Sequence, residues 1–524
     1  MSVRRTFLSI ALAWNTVIST AVAAAPEAAA LARRIDALLA EGHQKQAELA
    51  PLADDATFLR RLYLDAVGRI PTVAEVRTFL EAQSTDKRAV LTEELLASSA
   101  SARHFATFWR RTWIPQADTP QFVGLSAEVE PWLAARLREN SPYDHIVHAL
   151  LTVPASGKPE AGKAQDRQAA PRAFFAASEY KPENLAANTA RAFLGVNLDC
   201  AQCHDHPFSR WTREQFWQTA AFFARPTRAT EALPVRLELA IANTDQVVTP
   251  RLLVSAQPAW PENIEPDTGR HLLADWICDK QNPYLARNGV NRLWAYFFGA
   301  GLIEPLDDLS GENPASHPRL LDELAASFAD SGFDLRFLAS AYMSTRIYQS
   351  TSRPQASAVS GPGTSGSVDP RAFAYMPIRA LTGEQLYASL RVAAALPVER
   401  EDLDSASVTA ARRRFTAGFR VDRPVAAQRS IMQALALMNG ELTTEVTDFA
   451  TSPLLRATVN SPFLGTPERV QTLFLATLGR LPADDELVAL VAHASRHSDE
   501  GAAGRALADI FWALINSSEF NTNR

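Results

Sequence analysis

The segment DATFLRRLYLDAVG, residues 55–68, decides the fold class of this chain. Its apolar residues recur at three- and four-residue spacing, which gives an α-helix one face that can pack against a core. The same spacing returns in four other N-terminal segments, at 30–44, 72–83, 86–98 and 127–140. Helical patterns also continue through the C-terminal half, so we predict a fold that is mainly α.

Two stretches near opposite ends of the chain repeat one pattern. LYLDAVGRIPTVAEV (62–76) and LFLATLGRLPADDEL (473–487) share leucines, an aromatic residue, a Gly-Arg pair, a proline and a glutamate in the same register. In each, a glycine, Gly68 or Gly479, is placed to end one helix, and the proline that follows favours the start of the next. We therefore expect similar helical hairpins at the two ends of the chain, packed near each other.

The first 25 residues, MSVRRTFLSIALAWNTVISTAVAAA, have the pattern of a secretory signal peptide. Arg4 and Arg5 precede an apolar run that ends in small residues. Polar residues interrupt the run, which disfavours a permanent anchor, and no other stretch reaches the length of a spanning helix. We predict cleavage of residues 1–25 and an extracytoplasmic protein, periplasmic or secreted, with no stable membrane span.

Changes in pattern divide the remaining chain into three predicted parts. Residues 26–230 form a helical domain, and residues 231–262 form a short connector in which apolar and polar residues alternate as in small strands. Residues 263–524 form a second helical domain that contains a Ser-, Gly- and Pro-rich flexible loop at 352–370. The predicted architecture is therefore two helical domains joined by a small β insertion.

Composition excludes several functional classes. Hydrophobic residues make up 47% of the chain and charged residues 21%, as in soluble folded proteins. A formal net charge of −6 gives no electrostatic basis for binding nucleic acid. Three cysteines in 524 residues are too few for a disulfide framework. The sequence has no P-loop, Rossmann glycine pattern, GxSxG or HExxH, so no enzyme class is indicated.

The strongest chemical signal is the pentapeptide Cys200-Ala201-Gln202-Cys203-His204. It matches CxxCH, the pattern by which haem c is attached. Two thiols about one helical turn apart can add to the two vinyl groups on one edge of a porphyrin, and the adjacent histidine can bind the iron. We therefore predict that Cys200 and Cys203 attach haem c and that His204 is its proximal ligand.

Other uses of the same residues stay open. In an oxidising compartment Cys200 and Cys203 can close a short disulfide, which would stabilise a non-catalytic helical scaffold. His204 and His206 are candidate metal ligands, and Cys200, Cys203 and His206 have the chemistry of a zinc-type site whose fourth ligand comes from elsewhere. The sequence offers no clear second axial ligand for a haem iron.

The motif lies within a longer stretch, PENLAANTARAFLGVNLDCAQCHDHPFSRWTREQFW (182–217), that resembles the planctomycete-type cytochrome-C-like domain. The segment NPYLARNGVNRLWAYFFGAGLIEPLDDLSGENPASHPRLLDEL (282–324) resembles the domain that habitually follows it. RALTGEQLYASL (379–390) and IMQALALMNGEL (431–442) extend the resemblance into the C-terminal third. Both domains are generally described as domains of unknown function.

The resemblance implies an exported protein with a cytochrome-like use of the CxxCH motif. It also implies that the gene lies beside one for a sulfatase-like exported protein, which makes that protein or a redox partner a candidate for interaction. The positions that match the family motif are Cys200, Cys203, His204, Asp205, His206, Pro207 and Phe208.

Overall fold

The structure is a computed structural model that describes residues 27–41, 49–154, 172–226, 236–254, 257–261, 264–309, 311–353, 369–397, 406–419, 430–495 and 500–524. The predicted signal peptide and most of the predicted 352–370 loop lie outside these ranges.

The described residues are mainly α-helical, as the periodicity predicts. The helices are α1 (27–41), α2 (Asp55–Val67), α3 (Val73–Glu81), α4 (Lys87–Leu96), α5 (Ser99–Trp113), α6 (Leu125–Arg138), α7 (Tyr143–Thr152), α8 (Ala173–Ala177), α9 (Pro182–Thr189), α10 (Arg213–Ala220), α11 (Thr268–Cys278), α12 (Leu285–Phe298), α13 (Pro318–Asp330), α14 (Leu335–Ser344), α15 (Gly383–Ala393), α16 (Ala406–Gly418), α17 (Ile431–Asn439), α18 (Glu441–Thr447), α19 (Pro453–Asn460), α20 (Thr466–Thr477), α21 (Asp484–Ala494) and α22 (Glu500–Asn516). None of these described helices is long and apolar enough to cross a membrane.

Strands are few and short among the described residues. Strand β1 (Leu239–Ala240) pairs antiparallel with β2 (Val247–Val248), inside the connector where the sequence predicts small strands. Strand β3 (Arg379–Ala380) pairs antiparallel with β4 (Thr522–Asn523). The second pair joins residues far apart in the sequence, which local alternation could not reveal.

The chain divides into two compact units that are not consecutive in sequence. The first comprises Met1–Ser101, Phe297–Gly299 and Ser340–Arg524, and the second comprises Ala102–Tyr296 and Ala300–Ala339. The first unit therefore combines the two ends of the chain, whereas the sequence pattern suggests domains that follow one another. Periodicity identifies elements but carries no information about which distant elements pack together.

The repeated hairpins form as predicted and contact each other within the first unit. Gly68 and Gly479 have φ angles of 74° and 70°, the left-handed conformation that favours glycine after a helix. A guanidinium nitrogen of Arg60, on α2, donates to the Thr477 carbonyl, at the end of α20, over 2.8 Å. A Cβ atom added to Gly479 would lie 3.8 Å from Pro71.

Each hairpin is fastened by the same ion pair. Arg69 contacts Glu75 at 2.9 Å, and Arg480 contacts Glu486 at 2.7 Å. In both hairpins the arginine is one residue after the glycine and the glutamate is seven residues after it. Each glutamate also accepts a backbone N–H at the start of the second helix, from Thr72 or from the corresponding residue of the other hairpin. The register shared in sequence therefore corresponds to shared local structure.

A buried polar network crosses the first unit. The carboxylate of Asp65, with no exposed surface, contacts Arg379 at 2.7 Å and accepts hydrogen bonds from Tyr348 and Asn523 at 3.1 and 2.8 Å. Burial raises the pKa of Asp65, and the guanidinium of Arg379 acts in the opposite direction. The neighbouring Arg61 is also buried and donates to the backbone carbonyls of residues 348, 350 and 524. Interior charges of this kind need partners to be tolerated.

The second unit has an aromatic core. Trp109 and Trp113, on α5, stack with ring centroids 5.1 Å apart, and Tyr143 packs 5.1 Å from Trp109. Phe193 lies 5.6 Å from Trp113 and extends the core towards the segment that precedes the CxxCH motif. Large rings of this kind bury much apolar surface, so this cluster stabilises the segment that precedes the motif.

Candidate functional site

The CxxCH motif begins just after a helix that ends at a glycine. The last turn after α9, Ala190–Leu194, is a π-helical turn, and Gly195 follows with a φ of 64°. A Cβ atom at Gly195 would lie 2.7 Å from Leu309 and 2.8 Å from Asn288, so the close packing also requires glycine. A 3-10 turn, Asp199–Gln202, then carries the first cysteine.

The motif presents its reactive groups outward. Ala201, between the cysteines, is fully buried, whereas Cys200 and Cys203 are exposed and have free thiols. His204 is exposed as well. The short turn therefore anchors its middle residue in the protein and leaves both sulfur atoms accessible for chemistry.

The motif loop is hydrogen-bonded to two tryptophans of the segment that follows it. Buried Trp217, on α10, donates from its indole nitrogen to the Gln202 carbonyl over 3.1 Å. The backbone N–H of His206 donates to the carbonyl of buried Trp211 over 2.8 Å. A capping box between Thr212 and Gln215 begins α10. The loop is thus hydrogen-bonded to the residue that precedes the N-cap of α10 and to the middle of this helix.

The proton of His204 can be assigned from its contact. Its Nδ1 atom lies 2.7 Å from the backbone oxygen of Asp205. A carbonyl oxygen only accepts hydrogen bonds, so Nδ1 carries the proton and Nε2 of the neutral ring has a free lone pair. Histidines that bind metals commonly use this arrangement, with the second nitrogen bonded to a carbonyl.

His206 is in a different situation. The backbone N–H of Phe208 donates to Nδ1 of His206 over 3.2 Å, so that nitrogen acts as an acceptor within the loop. Among the described residues, no group of three or more His, Cys, Asp and Glu side chains is arranged to hold a metal ion. Cys200, Cys203 and His204 are each exposed, while Nδ1 of His206 accepts a hydrogen bond within the turn.

A charged network lies beside the motif. Arg191 contacts Asp199, the residue before Cys200, over 3.1 Å, and its carbonyl accepts from Arg292 over 2.7 Å. Burial lowers the pKa of Arg292. Arg292 also donates to Asn288 over 2.8 Å, so α12 is fixed to the segment that leads into the motif. The sequence alone does not link Arg292 to the motif, because Arg292 and its partner Arg191 are about one hundred residues apart in the chain.

The second unit, which contains the motif, has no methionine in its sequence. The chain has five, and the four that the structure describes, at positions 343, 376, 432 and 438, belong to the first unit. This unit therefore offers no methionine as a metal ligand.

Family comparisons agree with the resemblance found in the sequence. Residues 34–228 match the family model PSCyt2, described as a protein of unknown function (DUF1549). Residues 269–417 match the family model PSD1, also described as a protein of unknown function (DUF1553). No curated protein and no solved structure matches the chain.

Proposed function

Because the chain carries the paired PSCyt2 and PSD1 domains, we propose that it is an exported protein which holds haem c on its CxxCH motif and transfers electrons or senses redox state. The observation that supports this most directly is the arrangement at the motif. Two free, exposed thiols stand beside a histidine whose Nε2 atom is available for iron. The residues present therefore fit the donor set that haem c requires.

Each residue has a defined part in this proposal. Cys200 and Cys203 would form the two thioether bonds, and His204 would bind iron through Nε2. The haem, when bound, supplies one-electron redox chemistry. The protein supplies the tether, the orientation of the axial ligand and the surface on which a partner is met.

The surroundings of the motif suit contact with an apolar group or a partner protein. Phe208, two residues after His206, is 88% exposed. Single exposed rings are ordinary at protein surfaces, and we propose that this one is covered when a partner binds at the motif. We propose a redox partner outside the cytoplasm, and the sulfatase-like exported protein implied by the family resemblance is the first to examine.

The test is expression of the full chain in a host that has a haem c assembly system. Pyridine haemochrome spectra and intact mass should show one covalently bound haem. Cys200→Ala and Cys203→Ala should each lose at least one thioether bond, and the double variant should be colourless. Cys278→Ala is the matched control, because Cys278 is half-buried, with its sulfur 3.2 Å from the Asp144 carbonyl.

Two results would contradict the haem proposal. A colourless protein whose mass is short of two hydrogens would indicate a Cys200–Cys203 disulfide and the alternative of a non-catalytic helical scaffold. A colourless protein that contains zinc in elemental analysis would favour a non-haem site that includes His206. Export is tested separately, by N-terminal sequencing of protein recovered outside the cytoplasm, where cleavage near residue 25 is expected.

A further inference from the structure

Asp205 contacts two different parts of the site. Its backbone oxygen accepts from His204 Nδ1 over 2.7 Å, and its side-chain Oδ1 accepts from the backbone N–H of Arg213 over 2.8 Å. Arg213 is the first residue of α10, where backbone N–H groups have no partner inside the helix. One residue therefore connects the start of a helix to the ring of the adjacent histidine.

The start of α10 is a fixed point for this contact. The side chain of Thr212 accepts from the Gln215 N–H over 3.2 Å, and the Gln215 side chain accepts in return from the Thr212 N–H over 2.9 Å. A carboxylate at this end of a helix is also favoured by the helix dipole. Asp205 and His204 are both exposed, so this contact restrains a part of the loop that has little packing around it.

We infer that Asp205 is a positioning residue, which holds the His204 ring so that the proton stays on Nδ1 and Nε2 is left for a metal. The use of Nε2 rests on the proposed function, whereas the positioning itself does not. When the side-chain contact is lost, the Asp205 carbonyl is free to turn away from the ring. An exposed neutral histidine then exchanges its proton between both nitrogens, and the nitrogen needed for iron is protonated part of the time.

The experiment reads the proton position in the metal-free full chain. Solid-state NMR of protein with labelled histidine separates the two neutral forms at a fixed pH, and His204→Asn assigns the signal among the ten histidines. Asp205→Ala should lower the ratio of the Nδ1–H form to the Nε2–H form about five-fold, the effect of one ordinary hydrogen bond. Asp205→Asn keeps Oδ1 as an acceptor and should restore most of the ratio.

A second pair of variants removes the donor in place of the acceptor. Arg213→Pro deletes the N–H that Asp205 accepts, at the first helical position, where proline is well tolerated. Thr212, which precedes it, already has the extended conformation that proline requires there. Arg213→Ala is the control, since it removes only the side-chain contact with the Ala242 carbonyl. Arg213→Pro should reproduce the Asp205→Ala signal, and Arg213→Ala should match the parent.

Thr212→Ala distinguishes positioning from a general effect on the helix. It removes one member of the capping box and leaves the Asp205 contact in place. The inference is overturned if Thr212→Ala changes the His204 signal as much as Asp205→Ala does, or if Asp205→Ala changes nothing.

In protein that has attached haem, Asp205→Ala should also raise the midpoint potential, because a weaker bond at Nδ1 makes the axial ligand less basic. A chain that attaches no haem but shows the expected NMR change would refute the proposed function alone.

Discussion

Replacing Arg379 with methionine should destabilise the first unit strongly. Arg379 is 5% exposed and contacts the Asp65 carboxylate, which has no exposed surface. Methionine fills much of the same space and has no charge. The substitution therefore isolates the effect of removing a cation from beside an interior carboxylate.

The structure gives a magnitude for this loss. Removing one partner of a buried ion pair costs about 3–5 kcal/mol. Asp65 keeps its hydrogen bonds from Tyr348 and Asn523, so we expect a value near the lower end, about 3 kcal/mol. Since about 1.4 kcal/mol corresponds to a factor of ten, the population of opened molecules should rise about one hundred-fold.

The effect should depend on pH in a defined direction. Burial holds the pKa of Asp65 above its usual range, and loss of Arg379 should raise it further. A carboxyl group whose pKa is higher in the folded state stabilises the fold below its unfolded pKa, about 4, and this stabilisation is lost as the pH rises through the folded pKa. The variant should therefore be more destabilised at pH 7 than at pH 5.

Hydrogen exchange measured by mass spectrometry is the appropriate assay, because it resolves the first unit within a large chain. Peptides that cover β3 and β4 should exchange about one hundred-fold faster in Arg379→Met. Adding Asp65→Asn to that variant should recover part of the protection at pH 7, since the carboxylate that lost its cation is then absent. Arg414→Met is the control, because Arg414 is 74% exposed and its pair with Glu441 is a surface contact. Unchanged exchange in Arg379→Met, or equal losses in both variants, would refute the reasoning.

Three further predictions concern local features. Gly479→Ala should cost about 1 kcal/mol in urea denaturation, because its φ of 70° is unfavourable for a residue with a Cβ atom. Burial raises the pKa of Asp36 to about 6, so the stabilisation of α1 that is present below about pH 4 is lost as the pH rises to 6. Asp36→Asn should therefore slow hydrogen exchange in residues 27–41 at pH 7 and remove its dependence on pH. Thr382→Ala should cost about 1 kcal/mol by thermal unfolding, because it removes the capping box of α15, and Thr382→Ser should retain most of the stability.

Local signals in the sequence predict the helices and several of their ends. Gly68 and Gly479 both end a helix where the pattern indicates, because this signal depends on residues within one or two helical turns. The CxxCH motif is local in the same sense, and its spacing alone is enough to single out Cys200 and Cys203.

Features that depend on distant contacts are not predictable in this way. In α2 the apolar stripe indicates one buried face, yet Arg61 and Asp65 are fully buried as well. Their partners come from segments around residues 350, 379 and 523, which the periodicity of α2 cannot identify. The role of Asp205 is hidden for a similar reason, since a hydrogen bond to Arg213 leaves no mark on residue spacing.

The joining of both chain ends in one unit has a consequence for biogenesis. The core of the first unit includes Leu64 and Ile70 together with Phe511 and Phe520, so it cannot be completed before residue 520 has been synthesised. Leu64 and Ile70 therefore remain without these partners during synthesis, and exposed apolar surface of this kind promotes aggregation or chaperone binding. The second unit needs only residues up to 339 and can mature earlier. The order of synthesis thus allows the core of the second unit to close before that of the first.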